Sequence, residues 1–238
     1  DRIVTAQDLW QGRAEWTVIA TSDAPWEPPS ASVFLVHDTL TGLIHPRQAT
    51  QALAKAVQAL GGVIAGQGTP QGQVVWATGW AGLLDMTEQN TRLVGNGVKG
   101  QAALLAYDAA GLPQLFADGM HIVPQLDGTV AIGSTSERYF DDPALTDNGL
   151  DDVIARARAA MPVLSDAKVV ERWAGVRPRS RTRAPMLGVH PFRQGEFVVN
   201  GGFKIGFGMA PKVAQVMADL VLDEFDRIPA DFRAESCL

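Results

Sequence analysis

Short apolar runs along this chain alternate with segments whose apolar positions recur at helical spacing. Trp16–Ala20 (WTVIA) and Ser32–Val36 (SVFLV) predict strands, separated by a proline-rich turn at Pro25–Pro29. From about Arg47 to Leu60, residues Ala49, Leu53, Ala56, Val57 and Leu60 share one helical face, and Gly61 stands where a C-terminal cap glycine belongs. Asp127-Gly128 joins two β-like runs as a hairpin turn. Asn148–Ala160 predicts a helix ended by Pro162, and Val169–Trp173 a further strand. Glu196–Asn200 (EFVVN) predicts another strand. Pro211–Phe225 predicts the last helix, with Val213, Val216, Met217, Leu220 and Val221 on its apolar face and Pro211 in the first turn. No internal repeat is present. The pattern is that of an α/β chain in which a nucleotide-type domain is interrupted by a sheet-rich one.

The segment Asn200–Lys212 (NGGFKIGFGMAPK) is the most distinctive, since it links a strand to a helix start through glycines. Gly201, Gly202, Gly206 and Gly208 allow backbone N–H groups to approach a ligand, and a helix start carries partial positive charge. Two readings follow from the pattern alone: a cradle for an anion or an electron-rich ring edge, or a tight turn between packed elements. Gly95–Gly100 (GNGVKG) formally matches the G-x-G-x-x-G dinucleotide fingerprint. It is rejected as one, because only Arg92–Val94 could form the preceding strand and Gln101–Asp108 is short for a crossover helix. Nor is it a P-loop, since no Gly-Lys-Ser/Thr closes it.

Composition bounds the rest. With 238 residues, 46% of them hydrophobic, the chain can bury one large core or two modest ones. A net charge of −6 and a pI near 5.2 argue against a nucleic-acid or anionic-membrane surface. Arg177, Arg179, Arg181 and Arg183 form a local basic run that reads as a solvated loop, and Arg156 and Arg158 read as solvated on their helix. No apolar stretch approaches the roughly twenty residues that span a bilayer. Cys237 is the only cysteine and is expected in a frayed tail. Disulfides and cysteine-based metal sites are therefore excluded, which fits a reducing cytoplasm. His37, His45, His121 and His190 show no metal-ligand spacing, with His45 a helix cap before Pro46. Ser134–Ser136 lack a nucleophile elbow, and Glu137 with Arg138 read as a surface pair.

Glu171–Gly188 (ERWAGVRPRSRTRAPMLG) and the glycine loop together resemble the C-terminal part of the FAD-dependent amino-acid oxidases, the family of D-amino-acid oxidase and glycine oxidase. There a W-x-G-x-R-P stretch leads through P-x-[IL]-G to a glycine-rich loop opening the last helix. Here these are Trp173, Gly175, Arg177 and Pro178, then Pro185, Leu187 and Gly188, then Gly201–Pro211. Gly42–Gly61 is similar to the family's G-x-[VI]-x-P segment and helix, and Val74–Gly79 (VVWATG) to its strand ending in A-T-G. His121–Gly133 is similar to a substrate-domain hairpin, and Lys99-Gly100-Gln101 to a K/R-G-Q element entering a substrate-domain strand. The resemblance covers most of positions 42–225.

The implied fold is an α/β FAD/NAD(P)-binding domain of the glutathione-reductase type, interrupted by a mixed-sheet substrate-binding domain. The implied division is substrate-domain strands at 1–41, FAD-domain portions at 42–82 and 171–228, a substrate-binding domain at 83–170 and a tail at 229–238. The implied cofactor is FAD, with Thr78, Gly79, Gly201, Gly202, Phe203, Lys204, Ile205 and Gly206 as its contacts. The implied partners are a small carboxylate-bearing substrate and dioxygen or another electron acceptor, and a homo-oligomer stays open. Substrate contacts fall on Arg177, Lys204 and His121. Arg177 matches the arginine that grips the substrate carboxylate through two parallel hydrogen bonds, against a structural salt bridge to Glu171. Lys204 replaces an arginine and His121 a tyrosine of the glycine-oxidase-like members, so both depart from the pattern. His121 otherwise reads as a half-buried strand residue.

The resemblance implies oxidation of a small amino or imino acid by hydride transfer to flavin N5. No catalytic acid or base is required when the amine is neutral. It also implies that a strand–G-x-G-x-x-G–helix unit for the FAD pyrophosphate precedes Asp1 in a longer flavoprotein. The alternatives are that a separate polypeptide supplies this unit, or that the chain is a flavin-free scaffold or binding subunit.

Overall fold

The structure is a computed structural model that describes residues 2–22, 24–29 and 34–238. In chain order the first elements are α1 (Arg2–Trp10), β1 (Trp16–Ala20), β2 (Phe34–Asp38), α2 (Pro46–Ala59), β3 (Val75–Trp76) and α3 (Gly79–Glu88). Then come β4 (Gly95–Ala106), β5 (Leu115–Ala117), β6 (Met120–Pro124), β7 (Thr129–Gly133) and α4 (Asn148–Ala160). The last are β8 (Lys168–Ser180), β9 (Met186–Val189), β10 (Phe197–Asn200) and α5 (Gly206–Asp223), with short 3-10 turns at Pro162–Leu164, Ala230–Phe232 and Ala234–Cys237. The fold is mixed α/β with three sheets, ordered β1-β2, β3-β10-β9 and β5-β6-β7-β4-β8.

The chain forms two compact units. The first comprises Asp1–Gly66, Ala102–Ser134 and Thr146–Arg172, and the second Gln67–Gln101, Thr135–Leu145 and Trp173–Leu238. Strands β4 and β8 each run from one unit into the other.

In the first unit, β6 and β7 form the hairpin read from Asp127-Gly128, with Ile122 opposite Ile132 and Pro124 opposite Val130. Alternation puts Ile122, Val130, Ile132, Ala103 and Leu105 inward, where they share a core with Leu150, Val153, Ile154 and Ala157 of α4. Helix α4 keeps its predicted bounds because its ends are chemically marked. The Asp147 side chain accepts from the Gly149 N–H at the N-terminus, and Pro162 follows the C-terminus. Helix α2 also forms as read, closed by Gly61 N–H and Gly62 N–H bonds to the Gln58 and Val57 carbonyls. Its apolar face is exposed, Leu53 at 64%, Val57 at 48% and Leu60 at 90%. The hairpin β1–β2 pairs Trp16 with Asp38, so β2 lies two residues beyond the predicted Ser32–Val36. Ser32 and Val33 lie outside the described residues.

In the second unit, β10 is parallel to β3, with Phe197 opposite Val75, and antiparallel to β9, with Asn200 opposite Met186. Leu83, Met86, Val94, Met186 and Val198 form one core cluster, and Leu187, Val216, Met217 and Ile228 another. The face predicted for the last helix is thus the buried one. Its start is not Pro211. Helix α5 begins five residues earlier at Gly206, leaving Pro211 inside it. The glycines are poor helix formers but adopt helical angles once Val213, Val216 and Met217 anchor the helix through packing.

Other expectations are corrected. Strand β8 extends to Ser180, so Arg177 and Arg179 lie on a strand and not in a solvated loop. Glu171 is paired with Arg47 through two hydrogen bonds, so it is not the partner of Arg177. Arg158 is half-buried with its guanidinium on the Ala167 carbonyl, whereas Arg156 is exposed as expected, in a surface pair with Asp118. Glu137 pairs with Lys99 and not with Arg138. Cys237 is buried at 1% exposure against Met186 and Val198, because the last residues fold back onto the β9 side of the core. Among the described residues no helix is long and apolar enough to cross a membrane.

Candidate functional site

The parallel strands of the second unit each release the chain into a helix. β3 leads through Ala77 and Thr78 into α3, and β10 leads through the glycine turn into α5. In open α/β sheets, this carboxyl edge of parallel strands is where ligands bind. Both helices begin without a side-chain cap: neither Thr78 before α3 nor Ile205 before α5 makes a capping hydrogen bond. Their leading N–H groups and positive dipole ends are therefore available to an electron-rich partner. Gly79 and Gly206, the first residues of the two helices, line one mainly apolar cavity of about 250 Å³. Gly201, Gly202, Pro178 and Met209 also line it.

Asn200 joins these parts. Its Nδ2 donates to the Gly79 carbonyl at 2.8 Å and its Oδ1 accepts from the Gly201 N–H at 2.8 Å. At 7% exposure this amide fixes the distance between the α3 start and the turn. Gly201 has φ +71°, and a Cβ there would stand 2.9 Å from Ser180 Cβ. Only glycine combines that angle with that approach.

Strand β8 runs beside the turn. Phe203 N–H donates to the Pro178 carbonyl at 3.0 Å, and Arg179 is bridged to Gly202. Phe203 itself has φ +43° and carries cations against its ring, with Arg179 Cζ at 5.9 Å and Lys204 Nζ at 5.6 Å. The arginine strand and the glycine turn thus form one unit, with Arg177 next to cavity-lining Pro178.

Arg177 is half-buried. Burial pushes its guanidinium down from the ordinary value and the Glu137 carboxylate pushes it back up. Its Nη1 lies 3.5 Å from the Thr135 carbonyl. The guanidinium occupies the space over Gly100, where a Cβ would stand 2.5 Å from Cζ. Lys99, buried at 3%, lies 3.7 Å from Glu137, whose carboxylate also receives Gln101 Nε2 at 3.0 Å and the Thr135 hydroxyl.

Of the expected cofactor contacts, Gly79, Gly201, Gly202 and Gly206 line the cavity. Thr78, Phe203, Lys204 and Ile205 stand at the two helix entrances, with Thr78, Lys204 and Ile205 exposed. His121 belongs to the first unit, exposed on β6 with its ring 4.9 Å from that of Phe116. His45 caps α2 by position only, with no side-chain cap bond. Among the described residues no cluster of His, Cys, Asp or Glu could hold a metal ion. Asn200, Gly100, Thr135 and Glu137 were not among the expected site residues. For Asn200 a signal existed, since an asparagine directly before Gly-Gly is a side chain placed to bond its own turn.

Residues 8–220 match the family model described as FAD dependent oxidoreductase. The chain belongs to this family. Its cofactor is FAD, as the resemblance implied. Among relatives, a glycine oxidase of Pseudomonas putida is 32% identical over 187 residues, which is 78% of this chain and 48% of that protein. One of Pseudomonas aeruginosa is 35% identical over 125 residues, 52% of this chain and 34% of that protein. The chain thus spans half or less of the length of these relatives. The crystal structure of glycine oxidase from Geobacillus kaustophilus superimposes with a TM-score of 0.59 at 29% identity, over 68% of this chain and 45% of that one. L-amino acid deaminase from Proteus vulgaris, at 15% identity and TM-score 0.78 over 98% of this chain, shows that the fold is shared.

Proposed function

We propose that this chain is the substrate-binding and C-terminal part of an FAD-dependent enzyme that oxidises a small amino or imino acid. One observation carries the reading: two uncapped helix starts and a glycine turn line a single apolar cavity, beside the strand that bears Arg177. The residues fit a flavin. Gly201 and Gly202 leave the turn without side chains, so a flat ring can approach its backbone closely, and the helix starts favour its electron-rich edge. Thr78, Gly79 and the residues from Gly201 to Gly206 would hold it.

When bound, FAD supplies the two-electron acceptor at ring N5 for hydride leaving the substrate Cα, and dioxygen or another acceptor takes the electrons onward. The protein's share is orientation. Arg177 grips the substrate carboxylate with its planar fork, and partial burial strengthens that contact by excluding water. Lys204 keeps a positive charge at the turn without the bidentate geometry of arginine. No residue is assigned as general acid or base, because a neutral substrate amine becomes the iminium cation as the hydride departs, with no proton to be removed in that step.

The supporting relatives are glycine oxidases, and the Arg177 motif favours a carboxylate-bearing substrate. The test is a panel of glycine, sarcosine, D-amino acids and 2-hydroxy acids, followed by bleaching of the flavin band without oxygen. Bleaching by amino or imino acids and not by hydroxy acids supports the reading. A colourless protein that added FAD cannot stabilise against heat would instead favour a flavin-free scaffold.

A further inference from the structure

We propose that Gly100 and Glu137 are positioning residues for Arg177, setting where its guanidinium meets the substrate carboxylate; this rests on the assignment of Arg177 as the anchor. The guanidinium lies over Gly100, a backbone position with no side chain. A Cβ on Gly100 would come within 2.5 Å of Cζ, well inside van der Waals contact, and Gly100 is buried in β4 so its backbone cannot yield. Any side chain at this position would push the fork away.

Glu137 acts by charge. Its segment is strapped to β4: Lys99 N–H donates to the Glu137 carbonyl and Glu137 N–H to the Lys99 carbonyl, each at 2.9 Å. Gln101 N–H donates to Thr135 Oγ1 at 2.8 Å, and the Thr135 hydroxyl donates to the Glu137 carboxylate. That carboxylate is therefore fixed, with Lys99 Nζ 3.7 Å from one oxygen and Gln101 Nε2 3.0 Å from the other. Its field reaches Arg177, and exposed Asp142 adds to the field at Lys99. The strap also presents the Thr135 carbonyl to Arg177 Nη1. One rigid segment thus neutralises a buried lysine and offers the arginine both an acceptor and a counter-charge. An arginine held in this way keeps its fork aimed before the substrate arrives, which lowers the entropy cost of binding.

The test uses flavin-loaded protein and two readouts: the affinity of acetate, read from its perturbation of the flavin absorption, and the split of KM from kcat for the best amino-acid substrate. Gly100→Ala and Glu137→Gln should each weaken acetate and raise KM about tenfold to a hundredfold, the cost of a misplacement of about 1 Å. Both should leave kcat at saturation within about threefold, a pattern that general loosening of the fold would not give. Arg177→Lys is the control. If it binds acetate like wild type, the anchor assignment itself fails. If it weakens acetate while Gly100→Ala and Glu137→Gln do not, the positioning role is overturned and the anchor stands. Should Gly100→Ala fail to retain flavin, Glu137→Gln decides.

Discussion

Asn200 Nδ2 donates to the Gly79 carbonyl at 2.8 Å, so one buried amide ties the glycine turn before α5 to the first residue of α3. Replacing it by Ala leaves the Gly79 carbonyl and the Gly201 N–H short of partners. Loss of buried hydrogen-bond partners costs about 1–3 kcal/mol. Asn200→Ala should lower the melting temperature and weaken FAD binding together, measured by thermal unfolding and by flavin titration. Asn200→Asp, which keeps the acceptor but loses the donor, should show the same sign. Unchanged flavin affinity in both would separate this amide from the site.

The turn itself is tested at Gly201. Gly201→Ala must place a Cβ at φ +71° and 2.9 Å from Ser180 Cβ. Strain of this kind costs about 1–3 kcal/mol, and the close contact adds to it. Urea unfolding should show a lower midpoint with an unchanged slope.

His190 supplies a pH dependence. It is buried at 6% exposure and its Nδ1 accepts from the Phe192 N–H at 3.2 Å, which requires an unprotonated nitrogen. Burial first, then Arg193, holds its pKa below the ordinary histidine value, with Glu196 opposing. The unfolded chain therefore binds a proton at His190 more readily than the folded one. Its contribution is fully present above the ordinary histidine pKa of about 6.5 and is lost as pH falls through that value towards the depressed one. Urea unfolding at about pH 7.5 and about pH 5.5 should show a smaller acid loss in His190→Gln than in wild type. Equal acid losses in the two proteins would contradict the assignment.

Cys237 gives a simple accessibility test. Its thiol is buried, with Sγ 3.5 Å from Thr182 Oγ1. A thiol reagent should react slowly with the native protein and promptly in denaturant, and prompt native reaction would show that the C-terminal turn is open.

How much of this was legible in the sequence follows from how each residue is held. Helix α4 and the β6–β7 hairpin were readable because their signals are local: the Asp147 cap, Pro162, and the Asp127-Gly128 turn. The glycine turn and the Arg177 strand were found through motif spacing. The start of α5 was misread because four glycines and Pro211 argue locally against a helix, while the packing of Val216 and Met217 decides for it. The length of β8 was hidden by a polar, proline-containing run that only its pairing makes a strand. Glu137 looked like a surface residue because its partners, Lys99 and Gln101, lie more than thirty residues away along the chain. Contacts of that kind leave no periodic trace.

Arg177 carries the central claim, and Arg177→Lys tests it most directly. A lysine keeps the charge but cannot reproduce two parallel hydrogen bonds from a planar group. In flavin-loaded protein, kcat/KM for a carboxylate-bearing amino acid should fall by about 2–4 kcal/mol in transition-state terms, with FAD content and melting temperature close to wild type. Wild-type kcat/KM in a folded, flavin-loaded Arg177→Lys protein would contradict the account.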